Sequence, residues 1–147
     1  MKHLVAGLLL SLWLAPALAA DARSPLGLWQ TVDDKTGQPR AEVRLYAMGD
    51  ELYGRIEKSY TPGAEKRTCV KCRDERKDQP VLGLLIIRRL HRDGDVWLGG
   101  DILDPDTGSV YRCKIEVSAD NRRLNVRGYI GFALLGRTQT WKRLAGS

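Results

Sequence analysis

The amino-acid sequence predicts an all-β protein in which eight antiparallel strands close into one up-and-down barrel. Three observations support this prediction. Apolar and polar residues alternate with a period of two in one segment after another between residues 26 and 144. Turn signals rich in Gly, Asp, Asn and Pro separate these segments, and no segment after residue 20 has the pattern of a helix. The mostly short connections favour an up-and-down barrel over a Greek-key sandwich.

The first 20 residues have the three parts of a cleavable signal peptide. Met1–His3 gives a positive start, Leu4–Leu14 is apolar except for one Ser, and the small residues of Pro16–Ala20 follow, with cleavage after Ala19 or Ala20. The apolar run of about 11 residues is too short to cross a hydrocarbon core of about 30 Å. We therefore expect a periplasmic protein whose residues 21–147 form a single barrel domain with no transmembrane segment.

The first four predicted strands are separated by two turns and one long polar loop. The second strand alternates cleanly, with Ala41, Val43 and Leu45 on one face. In chain order the segments are a strand over Leu26–Val32, a turn over Asp33–Gly37, a strand over Arg40–Tyr46, a turn over Met48–Asp50, a strand over Leu52–Glu57, a loop from about Thr61 to Gln79 and a strand over Leu84–His91.

The last four predicted strands include the clearest alternation in the chain, with Tyr111, Cys113, Ile115 and Val117 on one face. The segments are a hairpin turn over Arg92–Asp95, a strand over Val96–Leu103, a turn over Asp104–Gly108, a strand over Ser109–Ser118, a turn over Ala119–Arg122, a strand over Leu124–Ile130, a connection over Gly131–Gly136 and a strand over Arg137–Leu144. Eight strands enclose enough space for packed side chains or for one small ligand.

The charge of the chain excludes few partners. The net charge is +6, and the basic residues are spread over many segments, which is typical of a solvated surface. An exported protein is a poor partner for nucleic acid, so we expect none. Weak contact with an anionic membrane surface stays open, and we expect a monomer.

Gly27 and Trp29, in the first strand, resemble the start of the lipocalin-like, or calycin, barrels. In those folds a Trp at this place closes one end of the barrel beneath a basic side chain from the last strand. The resemblance implies this structural role for Gly27 and Trp29, with Arg143 or Arg137 as the basic partner.

Five further motifs are similar to domain-of-unknown-function family 2147 (DUF2147), a group of exported bacterial proteins of roughly this length. The motifs lie within Pro80–Leu84, Trp97–Pro105, Gly108–Lys114, Leu124–Gly131 and Leu135–Trp141. The resemblance covers nearly the whole mature chain. It implies a lipocalin-like barrel and brings no established activity.

Four connections share one end of such a barrel, because alternate connections of an up-and-down barrel emerge on the same side. They are the turn after strand one, the long loop, the turn over Asp104–Gly108 and the connection over Gly131–Gly136. The three connections at the other end are short polar turns. Since ligand sites of small barrels lie at their mouths, we expect the first end to be the functional one.

The candidate ligand-binding residues lie at this end. Tyr129, Arg127 and Arg137 either hold an anionic head group through charge-assisted hydrogen bonds or face the barrel exterior. Asp104 is a further candidate, although a turn also uses Asp to bind its own backbone.

The connection over Gly131–Gly136 is apolar and includes Phe132 and Leu134. It could serve as a lid over a ligand, as a tip that touches a membrane or as a partner contact. The favoured expectation is that it folds back to plug the barrel, because burial of apolar surface is favourable.

Three cysteines remain in an oxidising compartment, so at most one internal disulfide forms. We expect the bridge between Cys69 and Cys72, with Cys113 as a buried free thiol; a bridge from Cys113 to one loop cysteine is the alternative. A redox function for this CxxC motif, or a zinc site recruiting Cys113 and His91, is less favoured because the surrounding loop lacks a helix and His91 lacks ligand spacing.

The function that fits best is the binding of a small, partly apolar or amphiphilic ligand at the barrel mouth, without a cofactor or metal. No catalytic motif is present, so we expect no enzymatic activity. The alternatives are an envelope protein-interaction module with a filled barrel and, less favoured, a thiol-redox protein.

Overall fold

The barrel in the computed structural model has eight strands in chain order, within the described residues 23–132 and 134–145. The strands are β1 (Gly27–Val32), β2 (Pro39–Met48), β3 (Glu51–Ser59), β4 (Leu85–Asp93), β5 (Val96–Asp104), β6 (Ser109–Val117), β7 (Arg123–Tyr129) and β8 (Gly136–Arg143). Each strand pairs antiparallel with the next, and β8 pairs with β1 to close the sheet. The predicted eight-stranded up-and-down barrel is confirmed. The predicted signal peptide over residues 1–20 lies outside the described residues.

The period-two pattern places the predicted apolar faces inside the barrel. Val43 and Leu45 on β2 are fully buried, as are Cys113 and Ile115 on β6, whereas the residues between them are more exposed. Burying a Leu or Ile side chain contributes about 1.5–3 kcal/mol, so the alternation fixes which face of each strand turns inward.

The polar segment between β3 and β4 lies at the mouth of the barrel and contributes buried side chains to its interior. Its only helical element among the described residues is a single 3₁₀ turn over Ala64–Lys66. Val81 and Leu84 from this segment are buried together with Leu103 of β5 in the hydrophobic core cluster. The segment therefore forms part of the core.

Trp29 of β1 and Arg143 of β8 close one end of the barrel. The guanidinium carbon of Arg143 lies 4.1 Å from the centroid of the buried Trp29 ring, in a cation–π contact. The same guanidinium donates hydrogen bonds to the carbonyl oxygens of Leu26 (2.8 Å) and Asn121 (2.7 Å). Trp29 Nε1 donates to the carbonyl oxygen of Pro25 at 2.8 Å. Of the two expected basic partners, the structure selects Arg143.

Truncation of this closing residue is expected to be costly. Arg143→Ala removes the cation–π contact and several charged hydrogen bonds, and should lower the free energy of unfolding by about 3 kcal/mol. Lys142→Ala, a neighbouring exposed position, should change it by less than about 0.5 kcal/mol. Urea unfolding of both variants measures the difference, and equal losses would contradict a special role for Arg143.

Candidate functional site

A cavity of about 660 Å³ occupies the half of the barrel opposite to Trp29 and Arg143. Its wall is largely apolar where it is buried, and it includes the aromatic ring of Trp141. The apolar side chains that line it include Ala41, Val43, Ile56, Val81, Ile86, Ile102, Leu103, Val126 and Trp141. The barrel is thus filled at its closed end and hollow at the other.

The hollow end is formed by the four connections that the strand order places together. Residues from the β1–β2, β3–β4, β5–β6 and β7–β8 connections all line the cavity, among them Asp34, Arg67, Asp106 and Leu135. The three short turns at the other end contribute no lining residue. The cavity therefore opens at the rim that carries the unusual connections.

One ion-pair cluster at the mouth joins three connections. Arg40 of β2 bonds to Asp33 (3.1 Å between Nη1 and Oδ2) and to Asp106, which in turn accepts from Arg67 at 2.6 Å. The backbone amides of Thr36 and Lys35 also donate to Asp33, and these hydrogen bonds lower the pKa of its carboxyl group. Asp33 is therefore held as a carboxylate that fixes Arg40 at the rim.

A second polar chain runs from the mouth into the apolar half. Arg137 forms an ion pair with Asp34, and Gln139 Nε2 donates to the same carboxylate at 3.0 Å. Trp141 Nε1 then donates to Gln139 Oε1 at 3.0 Å. Because these β8 residues alternate with Thr138 and Thr140, their side chains share the inner face, and Trp141 gains a partner for its buried N–H group.

The structure separates the predicted ligand-binding residues into two groups. Tyr129, Arg137 and Asp104 line the cavity. Asp104 also stabilises the β5–β6 turn, since its carboxylate accepts a hydrogen bond from the backbone amide of Asp106 at 2.9 Å. Arg127 is not a lining residue; its guanidinium donates to Thr138 Oγ1 at 2.9 Å and to the carbonyl oxygen of Leu134 at 3.2 Å.

Phe132 and Leu134 are highly exposed and do not line the cavity, so the favoured expectation of a folded-back plug is wrong. The β7–β8 ladder continues to the pair Tyr129–Gly136 and leaves only six residues between the strands. The amide of Leu135 donates to the carbonyl oxygen of Phe132 at 2.9 Å, which makes a tight turn. The ends of this connection, Ile130 and Leu135, border the cavity at its mouth, while Phe132 and Leu134 are exposed.

Several residues at the mouth were not among the sequence candidates. Gln139 is two residues before Trp141 on β8, so the alternation of the strand predicts that both side chains point into the barrel. Arg40, Arg67 and Asp106 meet only through loops that are distant in sequence, and no local pattern indicates their meeting.

The long β3–β4 connection is stapled by a disulfide between Cys69 and Cys72, as expected. Both cysteines are buried, and Cys69 Sγ lies 3.7 Å from the carbonyl oxygen of Pro105. Gly108 has φ +72°, and a Cβ there would lie 2.0 Å from the carbonyl oxygen of Lys71. The stapled loop and the β5–β6 turn therefore pack backbone against backbone at the rim.

The other arrangements weighed for the cysteines are not found. Cys113 is a buried free thiol in the barrel core, so it bridges neither loop cysteine. Within residues 23–132 and 134–145, no three His, Cys, Asp or Glu side chains are grouped as ligands for a metal ion. His91 is exposed on β4, 3.4 Å from Glu51.

Arg76 anchors the same connection to the barrel. Its buried guanidinium bonds to Asp74 at 2.6 Å and donates to the carbonyl oxygen of Leu85 at 3.0 Å. These hydrogen bonds from Arg76 lower the pKa of Asp74 to about 2. The ion pair neutralises the buried charge of Arg76, and we call it the clamp because it holds the connection against β4.

Comparisons with known proteins agree with this architecture. The family described as "Uncharacterized protein conserved in bacteria (DUF2147)" matches residues 27–143. Protein HP1028 from Helicobacter pylori, which is described as belonging to the lipocalin family, superposes with a TM-score of 0.73 and 16% sequence identity over 84% of this chain and 85% of that chain. At this identity the likeness shows the fold, a lipocalin-like barrel. No curated protein matches the chain. None of the described helices is long and apolar enough to cross a bilayer.

Thiol titration tests the cysteine arrangement. The folded protein should release almost no signal with Ellman's reagent, because Cys113 is buried and burial raises the pKa of its thiol. Unfolding without a reductant should expose one thiol, and unfolding with a reductant should expose three. Cys113→Ala should show none before reduction, and two or more thiols in the unreduced, unfolded protein would contradict the Cys69–Cys72 bridge.

Acid should weaken the clamp between Asp74 and Arg76. Because the folded-state pKa of Asp74 lies below its ordinary value of 3.8, the stabilisation is complete above about pH 4 and is lost as the pH falls towards about 2. Asp74→Asn should cost about 1–2 kcal/mol at neutral pH and flatten the fall between these values. Asp95→Asn, an exposed control, should leave the pH profile of urea unfolding unchanged; an unchanged profile for Asp74→Asn would contradict the clamp.

Proposed function

We propose that this chain, which belongs to the DUF2147 family of bacterial proteins, binds a small amphiphilic ligand in the open half of its lipocalin-like barrel. One observation carries the proposal: the cavity of about 660 Å³ lies within the range of about 300–1,000 Å³ that is typical of small-molecule sites. The signal-peptide pattern of residues 1–20 supports a place in the periplasm.

The cavity wall favours a ligand with an apolar body. Side chains such as Val43, Ile56 and Val126 are buried and face the hollow half of the interior. An apolar chain or ring placed against them gains about 25 cal/mol for each Å² removed from water. A ligand without an apolar part would leave this wall in contact with water.

The mouth favours a polar or anionic head group. Arg40, Arg67 and Arg137 lie around the opening, and each is already bound to an aspartate of the chain. A carboxylate, sulfate or phosphate head group has the same chemistry as these aspartates and can share or replace them through charge-assisted hydrogen bonds. Tyr111 adds a hydroxyl group in the cavity wall that has no hydrogen-bond partner within the described part of the chain.

The alternative of an interaction module with a filled barrel is less well supported. Such a barrel needs side chains packed throughout its interior, whereas here only the closed half is filled. A thiol-redox function is also less well supported, because both cysteines of the CxxC motif are buried in a disulfide.

Filling the cavity should abolish binding without harming the fold. Gly128 faces the cavity, and a Cβ there would meet Tyr111 at 3.4 Å and Ile102 at 3.5 Å, which are ordinary contacts. We expect Gly128→Val to weaken the binding of dodecanoate by at least about tenfold, or about 1.4 kcal/mol, because the added methyl groups occupy the ligand space. Displacement of the fluorescent probe anilinonaphthalene sulfonate by dodecanoate measures the affinity.

The matched control is Asn125→Val, which adds the same side chain to the outer face of the same strand and should leave binding unchanged. If neither probe binds the wild-type protein, or if both variants bind as the wild type does, the cavity is not a site for amphiphiles. If dodecanoate binds the wild-type protein, native mass spectrometry of protein purified from its own periplasm identifies a retained natural ligand by its mass.

A further inference from the structure

We propose that the β7–β8 connection docks on an anionic lipid bilayer. We call four of its apolar residues, Ile130, Phe132, Leu134 and Leu135, the apolar tip. The inference goes beyond ligand binding and does not depend on what occupies the cavity.

The apolar tip is exposed in a way that an ordinary turn is not. Its four side chains are between 68% and 91% exposed to solvent. The tip has a defined conformation, because Leu135 donates to Phe132 across the turn and the Arg127 guanidinium donates to the carbonyl oxygen of Leu134. Several large apolar side chains exposed on one turn mark a surface that contacts another molecule.

A basic strip lies directly beside the apolar tip, and we define it as Arg112, Lys114 and Arg127. Lys114 of β6 faces Arg127 of β7 in register, an arrangement of like charges that destabilises an isolated sheet. The side chains of Arg112 and Lys114 form no ion pair or hydrogen bond within residues 23–132 and 134–145. Arg112 and Lys114 therefore offer positive charge to a partner outside the chain, beside Arg127, which is held by Thr138 and Leu134.

The acidic residues near the strip do not neutralise it. Asp101 lies opposite Arg112, but Arg88 binds both of its carboxylate oxygens at 3.0 Å. Glu116 lies one further step towards the closed end on the same face as Lys114, opposite Asn125. At the rim itself, Asp34 is paired with Arg137, and Asp106 is paired with Arg40 and Arg67, so these carboxylates are already balanced by arginines.

The spacing of the tip and the strip fits a bilayer. Arg127 lies three residues before Ile130, which is about 10 Å along a strand at roughly 3.3 Å per residue. Apolar groups of interfacial proteins enter the boundary between head groups and acyl chains by about 5–10 Å. With the apolar tip at that depth, the basic strip lies level with the anionic head groups.

A protein partner fits the apolar tip less well. Specific protein interfaces bury about 800 Å² on each partner, and four side chains on one protruding turn offer only a fraction of that area. A bilayer needs no matching pocket, and each basic residue near an anionic surface adds a modest, salt-dependent attraction. The charge of the strip and the small size of the tip together favour lipid.

Vesicle flotation of the mature protein, residues 21–147, tests the proposal. We expect flotation with vesicles of phosphatidylcholine and phosphatidylglycerol at low salt, and much less with phosphatidylcholine alone. Phe132→Ser with Leu134→Ser should reduce the bound fraction, and Arg112→Gln with Lys114→Gln should weaken binding by about tenfold or more, since each basic residue contributes roughly fivefold.

The controls use the closed end of the barrel. Leu26→Ser with Met48→Ser removes two exposed apolar side chains there, and Arg122→Gln with Lys142→Gln removes two charges; neither pair should change flotation. The absence of wild-type flotation on anionic vesicles overturns the proposal, as does flotation that the tip and strip variants leave unchanged. Self-association that the tip variants abolish, without vesicle binding, also overturns it and assigns the tip to contact between copies.

Discussion

Closure of the sheet between β1 and β8 is the constraint on which the remaining structure depends. A closed antiparallel sheet has no free edge, and strands in chain order must send their connections alternately to the two ends. One end receives three short turns and is sealed by Trp29 beneath Arg143. The other end receives the remaining four connections and contains the cavity, so the interior is accessible from that direction.

Ion pairs between distant parts of the chain give the open end its form. Asp34 pairs with Arg137, and Asp106 pairs with both Arg40 and Arg67, so that three connections and the start of β8 are tied into one rim. These carboxylates remain about a third exposed, which avoids most of the penalty of burying charge. The same partial hydration leaves the arginines within reach of an entering head group.

The rim carries two kinds of apolar surface with different surroundings. The inner wall is enclosed by the barrel, while the apolar tip is exposed at the rim, where Ile130 and Leu135 also border the cavity mouth. Both surfaces are on the same end of the molecule. Docking by the tip would therefore turn the cavity mouth towards the bilayer.

The sequence by itself determined the strands, their inward faces and the gathering of four connections at one end. Alternation with a period of two is a local property, and the inward set of β6 followed from it directly. The sequence did not decide whether Arg143 or Arg137 covers Trp29, because both lie on the inner phase of β8. Register across the closed sheet decided it by pairing Trp29 with Arg143. Only the tertiary structure brought Arg67 to Asp106 and left the apolar tip exposed. Both outcomes depend on how the connections fold relative to residues that are distant in sequence, which no local pattern encodes.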